Sequence, residues 1–398
     1  MKTTLRLASL LLIGSHLALA QSKPAVAAVP EGVKTFRDLA YVEQGHERQK
    51  LDLFMPENGT GPFPLVIWIH GGGWASGDKA GCPPLRDGFI QRGYAVASLN
   101  YRLSGDAIFP AQVEDCKAAI RWLRAHAKDY RLDAEHFGIW GSSAGGHLVA
   151  FLGATGGVRE FDVGANLDQP SRVQAVCDYY GPTDLLQMDA HALNGARLQH
   201  DPATSPESRL IGGAIQENPS KVARANPLTY LTKDAPPYLI VHGNQDPVVP
   251  HHQSELLFDA LKKLGVPVRF ITVEGGGHGQ GFPNGELNPI ATEFFDRALK
   301  GNASAANWPV ATVSTVKAGP LPGAGNRPGF APPGMGPQAS GERPRISFDR
   351  ILEREDANKD GKITRDEFKG PPPLFGRLDR DQDGVLTRKD FEGVAQPR

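Results

Sequence analysis

The amino-acid sequence predicts an α/β fold, with an eight-stranded, mostly parallel, doubly wound sheet followed by a small α-helical module. Short apolar runs alternate with helical patterns from about residue 35 to residue 300, which is typical of such a sheet. Some runs are apolar throughout, as in Leu65–Ile69, and strands buried on both faces have this composition. After residue 300 the composition changes, first to Gly and Pro and then to charged residues.

The predicted elements follow one another with short connections. The eight strands are Leu39–Val42, Leu51–Phe54, Leu65–Ile69, Ala95–Leu99, Phe137–Trp140, Ala175–Tyr180, Tyr238–His242 and Val268–Val273. The helices are Leu85–Arg92, Gln112–Ala127, Gly146–Gly153, Ser254–Leu264 and Ile290–Leu299. Residues 181–230 form a long irregular segment, which we expect to cap the strand ends as a lid.

The first twenty residues have the pattern of a secretory signal peptide. Lys2 and Arg6 precede the apolar run Leu7–Leu19, and the small residues Ala18 and Ala20 suit a signal peptidase. A secreted or periplasmic protein is therefore expected, with an uncleaved membrane anchor as the alternative. No other stretch is apolar enough to span a bilayer, and a net charge of -1 gives no electrostatic case for a nucleic-acid partner.

A glycine–serine turn follows the predicted strand Phe137–Trp140. Gly141, Ser143 and Gly145 fit the pattern G-x-S-x-G, in which a serine occupies a sharp turn between a strand and a helix. The serine oxygen then lies near the helix N-terminus, where backbone N–H groups face a developing negative charge. Ser142 lacks glycines two places on either side, so Ser143 is the candidate nucleophile. An ordinary glycine–serine loop is the alternative.

Chemically useful residues follow three other predicted strands. His70–Trp74 contains three successive glycines, Asp246 follows the strand 238–242, and His278 follows the strand 268–273. Strand ends of a parallel sheet share one edge, and the order Ser143, Asp246, His278 is the order expected on this type of sheet. A neutral histidine can take the serine proton, while a carboxylate fixes its tautomer. Taken singly, each loop has an ordinary structural explanation.

These motifs resemble those of the α/β-hydrolase superfamily, over about residues 35–300. The similarity is greatest to secreted carbohydrate-type esterases of the bacterial feruloyl esterase and acetylxylan esterase group. The segments that carry it are His70–Trp74, Asn100–Leu103, Gly141–Gly146, Tyr180–Asp184, His242–Gly243 with Asp246, and Gly277–Gly279. The resemblance implies Ser143 as nucleophile, Asp246 as orienting acid and His278 as base. It also implies an oxyanion hole formed by the backbone N–H groups of Gly72, Gly73 and Ala144.

The implied activity is hydrolysis of carbohydrate-linked or small acyl esters through an acyl-enzyme, with no cofactor for catalysis. Arylformamidases and prolyl-oligopeptidase-like peptidases carry similar motifs, so a peptidase or amidase remains an alternative. The export signal argues against the first, and the second usually carries a large N-terminal propeller for which this chain has no room. A catalytically inactive hydrolase fold that acts as a Ca²⁺-dependent scaffold or adhesion protein is the third possibility.

The C-terminal part of the sequence has a different organisation. Residues 301–345 are rich in Gly, Pro, Ala and Ser and are predicted to be a flexible linker, and residues 346–398 are predicted to be an EF-hand pair. Two twelve-residue stretches, Asp356–Glu367 and Asp379–Asp390, match the EF-hand loop. A solvated charged surface is the alternative explanation, but two copies in register favour calcium loops.

The candidate Ca²⁺ ligands occupy the ligand positions of the two loops. They are Asp356, Asn358, Asp360, Lys362, Thr364 and Glu367 in the first loop, and Asp379, Asp381, Asp383, Val385 and Asp390 in the second. The short side chain of Asp390 replaces the usual glutamate, and Gly370–Pro373 shortens the helix after the first loop. We therefore expect a weak structural site, in the ~10⁻⁴–10⁻³ M class, rather than a signalling switch.

Overall fold

A computed structural model describes residues 28–301, 309, 311–319, 352, 356, 358, 360–365, 367–368 and 383–391. The chain divides into two units, one that runs to Pro333 and one that starts at Gly334. The predicted signal peptide, residues 1–20, lies outside the described residues.

The first unit contains a mixed sheet that is nine-stranded in the described part of the chain, with the order β1-β2-β4-β3-β5-β6-β7-β8-β9. The strands are β1 (Val33–Ala40), β2 (Lys50–Pro56), β3 (Phe63–Ile69), β4 (Ala95–Leu99), β5 (Leu132–Ser142), β6 (Ala175–Tyr179), β7 (Tyr238–Gly243), β8 (Val268–Glu274) and β9 (Ala311–Lys317). Strand β2 is antiparallel to both of its neighbours, and the remaining pairs are parallel. The carboxyl ends of β3, β5, β7 and β8 therefore share one edge.

The ninth strand corrects the prediction of eight. Strand β9 lies within the segment 301–345 that the sequence predicts to be a flexible linker, and it pairs in parallel with β8 from Ala311 to Lys317. Among the described strands it pairs on one side only, and Val313 is 62% exposed. A half-exposed edge strand needs no continuous apolar run, so the strand gives little signal in the sequence. The linker prediction is wrong over these residues.

Helices cover both faces of the sheet. They are α1 (Pro83–Arg86), α2 (Ala111–Ala125), α3 (Ala144–Ala154), α4 (Pro206–Ile211), α5 (Pro219–Ala225), α6 (His252–Lys263) and α7 (Asn284–Leu299). The predicted helix 85–92 is instead split between α1 and the 3₁₀ turn Ile90–Arg92. Gly88 lies between the two with a φ of 85°, a left-handed conformation that an α-helix cannot continue through.

Strand β5 shows how the sheet divides the core. Phe137 and Ile139 belong to the apolar layer that contains α2, α3 and α6, whereas Trp140 belongs to the layer that contains α1 and α7. Successive side chains of a strand point to opposite faces, so a central strand with helices on both sides must be apolar throughout. In the described residues, no helix is both long and apolar enough to cross a membrane.

Residues 181–230 form short helical pieces rather than a structureless loop. They contain α4, α5 and the 3₁₀ turns Leu185–Gln187, Asp189–His191, Ile215–Glu217 and Pro227–Thr229. A side-chain carbon added at Gly73 would lie 3.2 Å from Pro206, so α4 packs over the glycine-rich loop that follows β3. The segment therefore reaches the strand-end edge, in agreement with its predicted position as a cap.

The second unit contains the two predicted calcium loops. Strands β10 (Ile363–Thr364) and β11 (Val385–Leu386) pair antiparallel, with Ile363 opposite Leu386. Both side chains are fully buried, and a short helix, α8 (Arg388–Phe391), follows β11. The predicted pairing between the loops is confirmed.

Candidate active site

Ser143 lies in a sharp turn between β5 and α3. Its backbone has φ 56° and ψ −124°, a conformation that is strained for a residue with a side chain. The flanking glycines allow the turn, because a side-chain carbon on Gly141 would overlap the carbonyl of Gly145 and one on Gly145 would overlap that of Ile69. The Ser143 amide donates to Tyr179 O across 2.9 Å, which fixes the turn to β6.

The three residues that the sequence singles out form one hydrogen-bonded chain. The Ser143 hydroxyl donates to Nε2 of His278 at 2.9 Å, and Nδ1–H of His278 donates to Oδ2 of Asp246 at 2.7 Å. The two bonds together define the Nδ1–H tautomer of the histidine. The His278 side chain is 19% exposed and that of Asp246 is fully buried, so the aspartate end of the chain is shielded from solvent.

Asp246 is held as a carboxylate by its surroundings. Its Oδ1 accepts the amides of Val248 and Val249 at 2.7 and 2.9 Å, and Nε2 of His242 lies 3.3 Å from Oδ2. Burial raises the pKa of the Asp246 carboxyl, but hydrogen bonds from His242 and His278 outweigh it and hold the pKa well below its usual range. The sequence motif contains His242 without indicating this contact, which only the folded loop creates.

The residues 70–77 that follow β3 form a tight loop, called the glycine loop below. Gly72, Gly73 and Trp74 are consecutive left-handed residues, with φ of 110°, 58° and 53°. A side-chain carbon on Gly71 would lie 2.6 Å from Ser142 O and 3.1 Å from Ser143 Cβ, so the loop packs directly against the serine turn. The loop that carries the predicted oxyanion residues Gly72 and Gly73 is therefore in contact with the serine turn through Gly71.

Ala144 is the first residue of α3 and the third predicted oxyanion donor. Amides in the first turn of a helix have no acceptor within the helix, and the helix dipole there favours a negative charge. The Ala144 amide immediately follows Ser143 in the chain. Its position suits an N–H group that binds charge developing next to the serine oxygen.

Tyr180 contacts His278 from the side, a role that the sequence does not reveal. The two ring centroids are 4.6 Å apart, and the tyrosine ring also makes an edge contact with Phe282 at 5.3 Å. Burial raises the pKa of the Tyr180 hydroxyl to about 12, so it stays neutral beside the imidazole. Its backbone has a positive φ of 46°, which is uncommon for a residue with a bulky side chain.

The first predicted calcium loop contains oxygen atoms of the kind that hard cations prefer as ligands. Asp356 accepts the amides of Asp360 and Gly361, and Glu367 Oε2 accepts the Thr364 amide and hydroxyl at 2.9 and 2.8 Å. Asn358 Oδ1 accepts the Asp360 amide. These oxygens fit Ca²⁺ by type, although within the described residues no three His, Cys, Asp or Glu side chains converge on one point.

Some of the predicted Ca²⁺ ligands are not among the described residues. Asp379, Asp381 and the side chain of Asp390 are outside the described residues. Asp383 Oδ1 accepts the Val385 amide at 2.9 Å, a contact within the second loop. Lys362 also lies in the first loop, where its amide donates to Asp360.

The sheet and the chain Ser143–His278–Asp246 have the arrangement of an α/β-hydrolase of the serine type. Residues 51–261 match the BD-FAE family, and the chain belongs to this family. An EF-hand match covers residues 350–370.

Most of the named relatives are esterases or ester hydrolases, although one is the dipeptidyl aminopeptidase BIII of Pseudoxanthomonas mexicana, 26% identical over 61% of this chain and 34% of that protein. The probable carboxylic ester hydrolase LipM of Mycobacterium tuberculosis is 30% identical over 237 residues, which cover 57% of this chain and 52% of that protein. The chain thus spans about half the length of the curated relatives it matches.

Two solved structures are also similar. A truncated carbohydrate esterase from gut microbiota is 34% identical, with a TM-score of 0.62 over 67% of this chain and 96% of that one. A bifunctional GH43-CE protein of Bacteroides eggerthii is 36% identical, with a TM-score of 0.60 over 66% of this chain and 38% of that one.

Proposed function

We propose that this protein is a carboxylic ester hydrolase that acts through an acyl-enzyme on Ser143. The hydrogen-bonded chain from Ser143 through His278 to Asp246 is the observation that carries the proposal. His278 takes the serine proton as the oxygen attacks the ester carbonyl, and Asp246 stabilises the imidazolium. The imidazolium then protonates the leaving alcohol. Water, activated by the same histidine, releases the acid and restores the serine.

The negative charge that forms on the carbonyl oxygen needs donors that are in place before the reaction. The amides of Gly72, Gly73 and Ala144 are the proposed donors, supported by the contact of Gly71 with the serine turn and by the position of Ala144 at the start of α3. One such donor contributes about 10²–10³ in kcat. The proposed oxyanion hole thus contributes to the rate in addition to the nucleophile Ser143.

We further propose carbohydrate-linked or small acyl esters as substrates, and a secreted or periplasmic location. The substrate class is supported by the carbohydrate esterase from gut microbiota and by the bifunctional protein of Bacteroides eggerthii. The location is supported by the signal-peptide pattern in residues 1–20. A screen of short-chain esters, acetylated xylan and feruloylated xylan identifies the acyl and alcohol preference, and a chromogenic peptide amide tests the peptidase alternative.

Hydrolysis of p-nitrophenyl acetate tests the reaction class. We expect turnover by the wild type and its loss in Ser143→Ala, whereas the neighbouring Ser142→Ala variant retains most of it. Wild-type activity no greater than that of Ser143→Ala contradicts the proposal and supports the inactive scaffold. Faster cleavage of the peptide amide than of any ester supports the peptidase.

We also propose that the C-terminal unit binds Ca²⁺ weakly. The support is the oxygen-rich first loop and its pairing with the second loop through Ile363 and Leu386. Titration of the full chain with Ca²⁺ in a calorimeter should show binding in the ~10⁻⁴–10⁻³ M class. Asp360→Ala should weaken it and leave ester turnover unchanged. An absence of binding heat in the wild type contradicts a metal role.

A further inference from the structure

The backbone of the glycine loop adopts a conformation that is unfavourable for residues other than glycine. Three consecutive residues, Gly72, Gly73 and Trp74, have left-handed φ angles, and Trp74 has a bulky side chain. Such a conformation is strained for a residue other than glycine, and it persists only where the surroundings determine it. Since the loop carries the proposed oxyanion donors, whatever holds it also sets the position of those donors.

The side chain of Arg48 contacts both ends of the glycine loop. It lies in the turn between β1 and β2, far from the loop in sequence, and its side chain is half-buried. Its Nη2 donates to Gly77 O at 2.9 Å, at the end of the loop, and contacts His70 Nε2 at 3.3 Å, at its beginning. Its Nε donates to Tyr101 O at 2.9 Å, which ties the guanidinium to the chain after β4.

His70 is arranged to accept from Arg48. Its Nδ1 lies 2.8 Å from Gly71 O, an acceptor, so Nδ1 carries the proton and Nε2 is left as an acceptor for the guanidinium. Burial lowers the pKa of the His70 imidazole to about 4, and the charge of Arg48 acts in the same direction. The ring of Tyr101 stacks on His70 at 4.5 Å, and its hydroxyl donates to His70 O at 2.9 Å.

We propose that Arg48 is a positioning residue for the oxyanion hole, because its guanidinium joins the two ends of the glycine loop. The inference rests on the proposed esterase function and assigns a role to a residue outside the motifs. Arg48 touches no reacting atom. It acts through His70 and Gly77, which fix the backbone that presents the amides of Gly72 and Gly73.

The hydrogen bonds made by Arg48 require a guanidinium, and another cationic side chain could not make them all. The guanidinium donates from Nε in one direction and from Nη2 in another, and a rigid planar fork holds these directions fixed. A lysine ammonium at the same place is a single point that reaches one acceptor at a time. Arg48→Lys should therefore behave like a loss of the loop contacts, although it keeps the charge.

The test uses Arg48→Met in the full chain, with Arg86→Met as the control. Arg86 is an exposed arginine whose ion pair is with its neighbour Asp87. We expect kcat for p-nitrophenyl acetate to fall about 10- to 100-fold in Arg48→Met with little change in KM, because the oxyanion donors serve the transition state. The rate of inactivation by an alkyl phosphonate, which places an oxygen in the same hole, should fall in proportion.

Chemical rescue separates positioning from general stability. In a smaller variant, Arg48→Ala, millimolar guanidinium should restore part of kcat, whereas sodium at equal ionic strength should not. If Arg48→Met does not fold, as judged by its thermal transition, Arg48→Lys carries the same kinetic test. A kcat within about twofold of wild type, or a loss that appears in KM alone, overturns the inference. Inactivity of the wild type itself instead overturns the proposed function.

Discussion

His147 lies one helical turn beyond Ser143 and connects three parts of the site. Its Nδ1 accepts from the indole N–H of Trp74 at 3.3 Å, and its Nε2–H donates to Ala225 O of α5 at 2.8 Å. It thereby joins the glycine loop to the cap. The side chain is fully buried, and burial lowers the pKa of the imidazole from 6.5 to about 4. Only the neutral ring can accept from Trp74.

The lowered pKa makes the stability of the fold depend on pH. The unfolded chain binds a proton at His147 near pH 6.5 and the folded chain does so only near pH 4, so acid favours unfolding. The contribution is fully present above pH 6.5 and is lost progressively as the pH falls toward 4. Between pH 7 and pH 5 the two pKa values correspond to a loss of about 2 kcal/mol in the free energy of unfolding.

The substitution His147→Gln isolates this effect. A glutamine can accept from Trp74 and donate to Ala225, but it does not titrate. Urea unfolding of wild type and variant at pH 7 and pH 5 gives two differences, and the difference for the variant should be smaller by about 2 kcal/mol. Equal pH dependence in the two proteins would refute the idea that the site is held together by a neutral histidine.

Two other substitutions test the geometry of the site. Asp246→Asn should lower kcat for p-nitrophenyl acetate by about 10⁴-fold, because it removes the carboxylate that sets the His278 tautomer; a loss below about tenfold would exclude that role. Gly71→Ala places a methyl group 2.6 Å from Ser142 O, so we expect a loss of about 1–3 kcal/mol in unfolding free energy together with reduced kcat. Unchanged stability and turnover in that variant would contradict the close packing of the glycine loop on the serine turn.

The sequence predicts the central strands and the Ser143–Asp246–His278 constellation because both have local signals. A buried parallel strand must be apolar throughout, and a serine in a strained turn requires glycines two places on either side. The structure brings the three polar side chains within hydrogen-bonding distance of one another. The edge strand β9 has neither signal, since its side chains alternate between partly buried and exposed positions.

The residues that support the site are the ones the sequence cannot reveal. Arg48 lies in the turn between β1 and β2, whereas His70 and Gly77 follow β3. Their contact depends on the folded chain, and no spacing in the sequence indicates it. His147 is present in the motif after Ser143, but its bonds to Trp74 and Ala225 depend on how two distant loops meet. Pairings of this kind are tertiary contacts, and local patterns carry no information about them.

The central claim is that Ser143 is the nucleophile of an ester hydrolase. Mass spectrometry after treatment with an alkyl fluorophosphonate tests it most directly, because the reagent labels a serine whose proton is taken by a neighbouring base much faster than an ordinary serine. We predict a single phosphonyl adduct on the peptide that contains Ser143, none in Ser143→Ala, and loss of ester turnover in step with labelling. Absence of an adduct, or labelling of Ser142 with turnover retained, would contradict the account.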